Sequence, residues 1–374
     1  MKKNVFSTSA AIFAFLFVLG CSGIPGIPTS LLKPDARKLY TREISDKNIV
    51  KTWDLAYESA LTDSLHVNLP YGEKGHFQAD PTLAYSYNVG LEEGETLVAE
   101  IVQENPTQRI FIEILERNGT TYKSIAKSQM GETRLSTAGE SSGVFKVVIQ
   151  PEVAAVGNFF ISLNKKPLYE FPVAGKGNAA IQSFWGAVRD GGKRSHEGVD
   201  IFAKKGTPVV AITDGYITRS GESGIGGKQV WLRTGTFGKS IYYAHLDEIA
   251  IESGRSVKTG DTLGFVGNTG NAKGGPAHLH FGIYGGMGAL NPLPFIFRTA
   301  DISQKAYARG FVQSSLRIKS AKATLRIGPS KDFEKIGETV SGETVTLLGQ
   351  HHDWLHVRLP SGVKAFVHSS LVKA

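Results

Sequence analysis

The chain has 374 residues, enough for roughly two or three domains, and its 20% charged and 41% hydrophobic fractions are ordinary for a globular protein. Its single cysteine excludes an internal disulfide, so the core must be stabilised by packing. A formal charge of +8 suits an anionic setting; nucleic acid would satisfy that charge, but the chain has no recognisable nucleic-acid module and its export-type start argues against one.

In chain order, Lys2-Lys3 precede an apolar run from about Ala10 to Leu19, short for a bilayer span but right for the apolar region of a signal peptide. Val18-Leu19-Gly20-Cys21 then resembles a bacterial lipobox, which makes 1–21 a lipoprotein signal peptide and Cys21 the lipid-modified first residue of the mature protein. The alternative is an ordinary signal peptide with an incidental cysteine. Ser22 in the next position would fit outer-membrane sorting in a Gram-negative cell. The expected location is the cell envelope, with membrane contact through lipidated Cys21. Residues 22–45, carrying Gly23, Pro25, Gly26, Pro28 and Pro34, read as a flexible linker in which a stable helix is not expected.

Residues 46–166 read as a β-sandwich-like domain. Leu97–Val102, Arg109–Ile114 and Val144–Ile149 mix alternation with β-branched residues, and turn signals separate them. His66 and His76 lack any partner spacing and are expected at the surface. Binding, spacing and auto-inhibition are all open roles for this domain.

Between residues 77 and 350 the chain has four histidines, His196, His245, His278 and His280. Arg194-Ser195-His196-Glu197-Gly198-Val199-Asp200-Ile201 and Gly275-Pro276-Ala277-His278-Leu279-His280-Phe281 together supply imidazole and carboxylate, a ligand set that suits zinc. His196-Glu197 begins a helical H-E-x-x-H pattern, yet position 200 is Asp, and Gly198 beside Val199, Ile201 and Phe202 favours an extended segment. His196 and Asp200 then point to one side, with Gly198 leaving room between them. His278 and His280 share one side of a second strand, about 6 to 7 Å apart, so that one metal ion could bridge the two strands.

H-x-x-x-D, a later histidine after two aromatics in Tyr242-Tyr243-Ala244-His245, and a closing H-x-H resemble the lysostaphin-type, or LytM-like, zinc metalloendopeptidases that cut peptidoglycan peptides. The resemblance covers about 170–298, and Gly206-Thr207-Pro208, Asp214-Gly215, Val257–Asp261 and Gly264–Gly270 resemble the turns of that family's antiparallel sheet. It implies a metalloendopeptidase domain over 167–300, with Zn2+ held by His196, Asp200 and His280, and with His245 and His278 as an unligated catalytic pair. Those two would orient water, relay its proton and stabilise the oxyanion. Ala277 is a one-residue insertion relative to the family's Gly-Pro-His-Leu-His, which bears on substrate preference. Gly-rich stretches at 218–228 and 270–277 are expected to set selectivity. Asn178 and the 104–108 loop are not excluded as segments that could occupy the open metal position.

After a linker at 301–314, residues 315–374 resemble a bacterial Src-homology-three-like domain, a small β-barrel that often binds wall peptides. The matching segments are Ala323–Ser330, Val345–Gly349, Trp354–Arg358 and Gly362–His368. Ala365-Phe366-Val367 replaces the usual Gly-Trp-Val, and Trp354 with Phe366 reads equally as core or as binding surface. His351, His352, His356 and His368 are expected on exposed strands and turns. The whole chain is therefore expected to be mainly β, with peptidoglycan and a membrane as partners and no nucleic acid. The competing reading is a non-catalytic wall-binding scaffold or activator of other murein hydrolases.

Overall fold

The computed structural model describes residues 35–235, 238–302, 304 and 314–373. The signal peptide, Cys21, linker residues 22–34 and most of 301–314 lie outside these. Among the described residues no helix is long and apolar enough to cross a membrane. As expected, the fold is mainly β and its sheets are antiparallel.

The first elements depart from the sequence reading. Helices span Ala36–Glu43, inside the stretch expected to be a linker, and Lys47–Thr62, at the start of the expected β domain. The helix-breaking residues end at Pro34, and the next residue, Asp35, caps the first helix by accepting from the backbone N–H groups of Arg37 and Lys38; Asp46 caps the second in the same way. Tyr40 and Trp53 are buried against Phe111, and Ala56 and Ala60 against Leu115 and Val148. The pattern along Ile110–Asn118 explains this. Ile110, Ile112 and Ile114 face one core while Phe111 and Leu115 face the helices, so this sheet is covered on both sides.

That sheet has four strands, Tyr85–Leu91, Gly143–Pro151, Ile110–Asn118 and Thr121–Lys127 in spatial order. It packs against a second layer ordered Tyr71–Gln78, Val156–Pro167, Glu95–Gln103 and Arg134–Ala138, which gives the expected sandwich.

The C-terminal strands do not close into the expected small barrel. Their ladder runs Lys335–Val340, Lys322–Arg326, Lys364–His368, Trp354–Arg358 and Thr344–His351, then continues into Tyr71–Gln78 of the sandwich through Lys74 opposite Gln350 and Gly75 opposite Gly349. The contact depends on close approach, because a Cβ on Gly349 would lie 2.0 Å from Glu73 Oε1. Glu73 and His356 are both fully buried there, with His356 Nδ1 3.1 Å from Glu73 Oε1. Tyr71 and Tyr87 donate their hydroxyls to the other Glu73 oxygen. Lys364 Nζ reaches Asp63 at 2.7 Å and Arg358 reaches Asp80 at 2.8 Å. His356 is thus an interior residue, not the exposed strand residue expected. Phe366 and Leu348 belong to the sandwich core, so Phe366 is a packing residue, and the half-buried Trp354 packs against it.

Between these two parts of the chain lies a third unit around a ten-stranded sheet, whose main path is Ser256–Val257, Gly215–Glu222, Lys228–Arg233, Ser240–Ile249, His278–Gly285, Val199–Phe202 and Ile181–Ser183. Val199, Ile201, Leu279, Phe281 and Tyr243 fill its core on one face. The opposite face carries the histidines.

Because leaving a buried hydrogen-bonding group without its partner costs about 1 to 3 kcal/mol, His356→Ala should lower the melting temperature of the sandwich by about 5 °C. Removal of residues 314–374 should lower it at least as far. Thermal melts followed by far-ultraviolet circular dichroism and tryptophan fluorescence check this; an unchanged sandwich transition in both variants would mean that the C-terminal strands are an independent module.

Candidate metal centre

Strand pairing assembles the site. Val199–Phe202 runs antiparallel to His278–Gly285, with Asp200 opposite His280 and Phe202 opposite His278. Ser183 lies opposite Asp200 on the outer side, and Ala244 lies opposite His280 on the inner side. Ser183, Asp200, His280 and Ala244 therefore form one row across four strands and share a face.

His196 enters from the loop before this row, so the extended segment expected from the sequence begins only at Val199. The chain passes so close to His280 that a Cβ on Gly198 would lie 2.7 Å from that ring and 2.6 Å from the Phe281 carbonyl. Gly198 leaves the room that its place in the sequence suggested.

His245 reaches the site by a different device. Along Ser240–Ile249, Tyr243 and Leu246 both belong to the core although they are three residues apart, which strict alternation forbids. The parity resets at His245, whose φ of 62° is left-handed, a conformation that costs about 1 to 3 kcal/mol in a residue other than glycine. Its ring thereby lies 5.1 Å from that of His278 and 5.9 Å from that of His280.

Hydrogen bonds to carbonyls fix where the ring protons sit. A carbonyl only accepts, so His196 Nδ1, 2.9 Å from Phe184 O, carries a proton, and in the neutral imidazole the lone pair is then on Nε2. By the same argument His245, bonded to Thr269 O at 2.9 Å, and His278, bonded to Pro276 O at 2.9 Å, carry their protons on Nδ1, which in the neutral ring puts the lone pair on Nε2. His196 Nε2, His280 Nδ1 and Asp200 Oδ1 lie 3.0 Å from one another. With both rings neutral, at most one of these atoms brings a proton, from His280, to three that are otherwise acceptors; a shared cation satisfies all of them. Two imidazoles and a carboxylate fit zinc.

The second Asp200 oxygen accepts from Arg189 at 2.7 Å, and Arg189 also donates to Ser183 Oγ at 2.6 Å. Burial opposes ionisation of Asp200, but wherever the His196 and His280 rings are protonated their hydrogen bonds and charges outweigh it and hold its carboxyl well below the usual range, a part that a bound cation takes over from neutral rings. Burial, followed by the neighbouring His278 and His280, pushes His245 down to about 4, so its imidazole is neutral near neutral pH. Burial also lowers His280 and raises the phenol of Tyr242 to about 12.

The cluster lies in a groove of about 710 Å³. Ile225 and Asn271, from the two Gly-rich stretches singled out in the sequence, are among its lining residues. Gly227 and Gly270 let those stretches touch, since a Cβ on Gly227 would lie 2.3 Å from Gly270 N. Asn178 instead clasps the backbone of Arg298, and Asn105 bonds within its own loop, so neither stands at the cluster. Arg189 and Thr269 were missed from sequence: the arginine precedes His196 by seven residues on a two-residue strand, and the threonine acts through its carbonyl.

The sequence profile of Peptidase family M23 matches residues 194–292, and that of the bacterial SH3 domain matches residues 321–373. The chain is 34% identical over 142 residues to an L-Ala--D-Glu endopeptidase of Bacillus subtilis (strain 168), covering 34% of this chain and 43% of that protein. It is 35% identical over 196 residues to the glycyl-glycine endopeptidase ALE-1 of Staphylococcus capitis, covering 46% of this chain and 54% of that one. The solved catalytic domain of lysostaphin from Staphylococcus simulans is 34% identical, with 30% of this chain and 89% of that one covered and a TM-score of 0.28. The chain spans about half the length of these two curated relatives. Its central segment, residues 194–292, is accordingly a domain of peptidase family M23, joined to a bacterial SH3 domain at residues 321–373.

Proposed function

We propose that this protein is a zinc-dependent metalloendopeptidase that hydrolyses peptide bonds in the cross-links of bacterial peptidoglycan. The observation that carries this reading is the triangle of His196 Nε2, His280 Nδ1 and Asp200 Oδ1, each 3.0 Å from the others, beside two further imidazoles whose Nδ1 atoms are held by carbonyls. His196, Asp200 and His280 are the metal ligands. Three protein ligands on an open groove suit a catalytic rather than a structural zinc, which when bound supplies Lewis-acid polarisation of the scissile carbonyl and a more acidic water.

His245 and His278 supply the proton chemistry. Thr269 O and Pro276 O hold their Nδ1 protons, so each Nε2 can take a proton from the attacking water and return it to the leaving amine. The low proton affinity of His245 keeps it available as a base, and either ring, once protonated, can stabilise the oxyanion. Arg189 orients the ligand carboxylate by occupying its other oxygen.

The remaining assignments belong to the same reading. Residues 1–21 are a lipoprotein signal peptide and Cys21 is the membrane anchor, which places the protein in the cell envelope. The units divide near 46–166, 167–300 and 315–374. The relatives named as endopeptidases and the SH3 match support peptidoglycan as substrate. Because Phe366 is buried in the sandwich core, wall contact by the SH3 domain falls to other residues.

Inductively coupled plasma metal analysis alongside turnover of purified peptidoglycan tests the roles. His280→Ala and Asp200→Ala should lose both zinc and activity, whereas His245→Ala should retain zinc and lose roughly 10² to 10⁴ in turnover. Zinc loss in His245→Ala as complete as in His280→Ala would refute the division of roles. Arg189→Ala should weaken zinc affinity by about 10- to 100-fold, measured by competition with a chelator; unchanged affinity would remove its orienting role. Gly198→Ala should displace His280 and abolish high-affinity zinc binding, and full zinc occupancy in that variant would contradict the close approach described above.

A further inference from the structure

The loop at 267–269 meets both histidines that stand outside the metal triangle. Gly267 O accepts from His278 N at 3.0 Å, and Thr269 O accepts from His245 Nδ1 at 2.9 Å. Side chains add a further set of contacts. Thr269 Oγ1 donates to Leu246 O at 2.8 Å and accepts from Lys228 N at 3.0 Å, while Lys228 Nζ donates to Asp247 O at 2.7 Å. Asn268 Nδ2 donates to Gly275 O at 3.0 Å, at the start of the turn whose Pro276 carbonyl accepts from His278 Nδ1. These bonds fall where the sheet is irregular. The ladders on the two sides of Ser240–Ile249 both shift register around the left-handed His245, between Lys228 and Val230 on one side and between Leu246 and Glu248 on the other. A bulge takes backbone groups out of the ladder, and the Leu246 and Asp247 carbonyls are accepted into new bonds by Thr269 and Lys228. The loop lies hard against the bulge, since a Cβ on Gly267 would be 2.3 Å from Asp247 N. A strained backbone conformation persists only where its surroundings determine it, and here they do.

We propose that Thr269 and Asn268 are positioning residues, each acting through one histidine: the Thr269 hydroxyl fixes the bulge that aims His245, and the Asn268 carboxamide fixes the turn that aims His278. A ring that gives its Nδ1 proton to a carbonyl is oriented only as well as that carbonyl is held. Thr269 is held at both ends, with its carbonyl on the His245 ring and its hydroxyl on the carbonyl of the next residue, Leu246. The two bonds close a cycle, so the imidazole cannot swing without breaking one of them. Asn268 does the same for His278 at one remove, by tying down the turn that contains Pro276. Neither residue belongs to the metal triangle, and each affects the reaction through the direction in which an imidazole presents Nε2. Moving such a group by about 1 Å can cost about a hundredfold in rate. The effect on turnover rests on the metalloendopeptidase reading; the effect on ring orientation does not.

The test uses the zinc-loaded full chain with a soluble cross-linked peptidoglycan fragment. Thr269→Val keeps the shape of the side chain and removes both hydroxyl bonds; it should lower kcat by about ten- to a hundredfold with KM and zinc content unchanged, and Thr269→Ser should restore most of the loss. Asn268→Ala should lower kcat by about tenfold. Because each residue acts through one ring, Thr269→Val should cause no further loss in the His245→Ala protein, and Asn268→Ala none in the His278→Ala protein. The proton resonance of the His245 Nδ1–H group, observed with isotope-labelled histidine and assigned by its absence in His245→Ala, gives a readout without turnover. It should be sharp in the wild-type chain and in Asn268→Ala, and broadened by exchange with water in Thr269→Val. Unchanged kcat in either single variant, full additive losses in the double variants, or an undisturbed His245 resonance in Thr269→Val would each overturn the proposal. If no peptide is cleaved, the proposed function fails and the resonance still decides the positioning role: broadening in Thr269→Val supports it, and an undisturbed signal overturns it.

Discussion

Asp200 and His280 face each other across one antiparallel ladder, and their pairing governs the remainder of the site. With a side-chain period of two, a slip of one residue would turn Asp200 into the core and bring Ile201 or Val199 to the surface. Val199 and Ile201 are fully buried, so the hydrophobic core and the metal cluster specify the same register. His196 and His245 join that row only through local exceptions to strand geometry. One is a glycine that permits contact with the His280 ring; the other is a left-handed residue that reverses the facing of its strand. The chemistry sits where regular β structure has been broken on both sides of a regular pair.

A second constraint lies far from the groove. Glu73 and His356, both fully buried, come from the two ends of the described chain and meet where the sandwich and the SH3 strands share a ladder. A buried pair of this kind adds little net stability, but leaving either member alone is costly, so it favours one docked arrangement over others. The M23 domain is thus bracketed by two segments that are themselves hydrogen-bonded together. The sandwich, whose role was open from sequence, acts at least as the docking partner of the C-terminal strands.

Much of this was legible in the sequence, for identifiable reasons. Metal-binding chemistry restricts residue types and spacing, so H-x-x-x-D and H-x-H stood out, and β-branched alternation revealed the sandwich strands and the M23 sheet. The structure brings all five singled-out residues to one groove, while their individual roles remain part of the functional proposal. What the sequence hid was set by tertiary contacts. The helix Ala36–Glu43 follows directly on a proline- and glycine-rich stretch and gains its stability from Tyr40 packing on Trp53 and Phe111. His356 and Phe366 look like surface and binding residues until the partner sheet is placed beside them. The open SH3 ladder could not be foreseen because Thr344–His351 pairs with a strand about 270 residues earlier. Arg189 was hidden because a hairpin only two residues deep has no periodic signal.

A peptide-hydrolysing zinc site for peptidoglycan, formed by these residues, should release fragments from purified walls. Mass spectrometry of fragments released from purified peptidoglycan by the zinc-loaded protein, run beside His280→Ala, tests it most directly. New peptide termini that appear only with the wild-type chain and vanish on chelation are the predicted result, and their identity names the bond. Intact cross-links after treatment of walls of both the glycine-bridged and the directly linked type would contradict the account and favour a wall-binding scaffold.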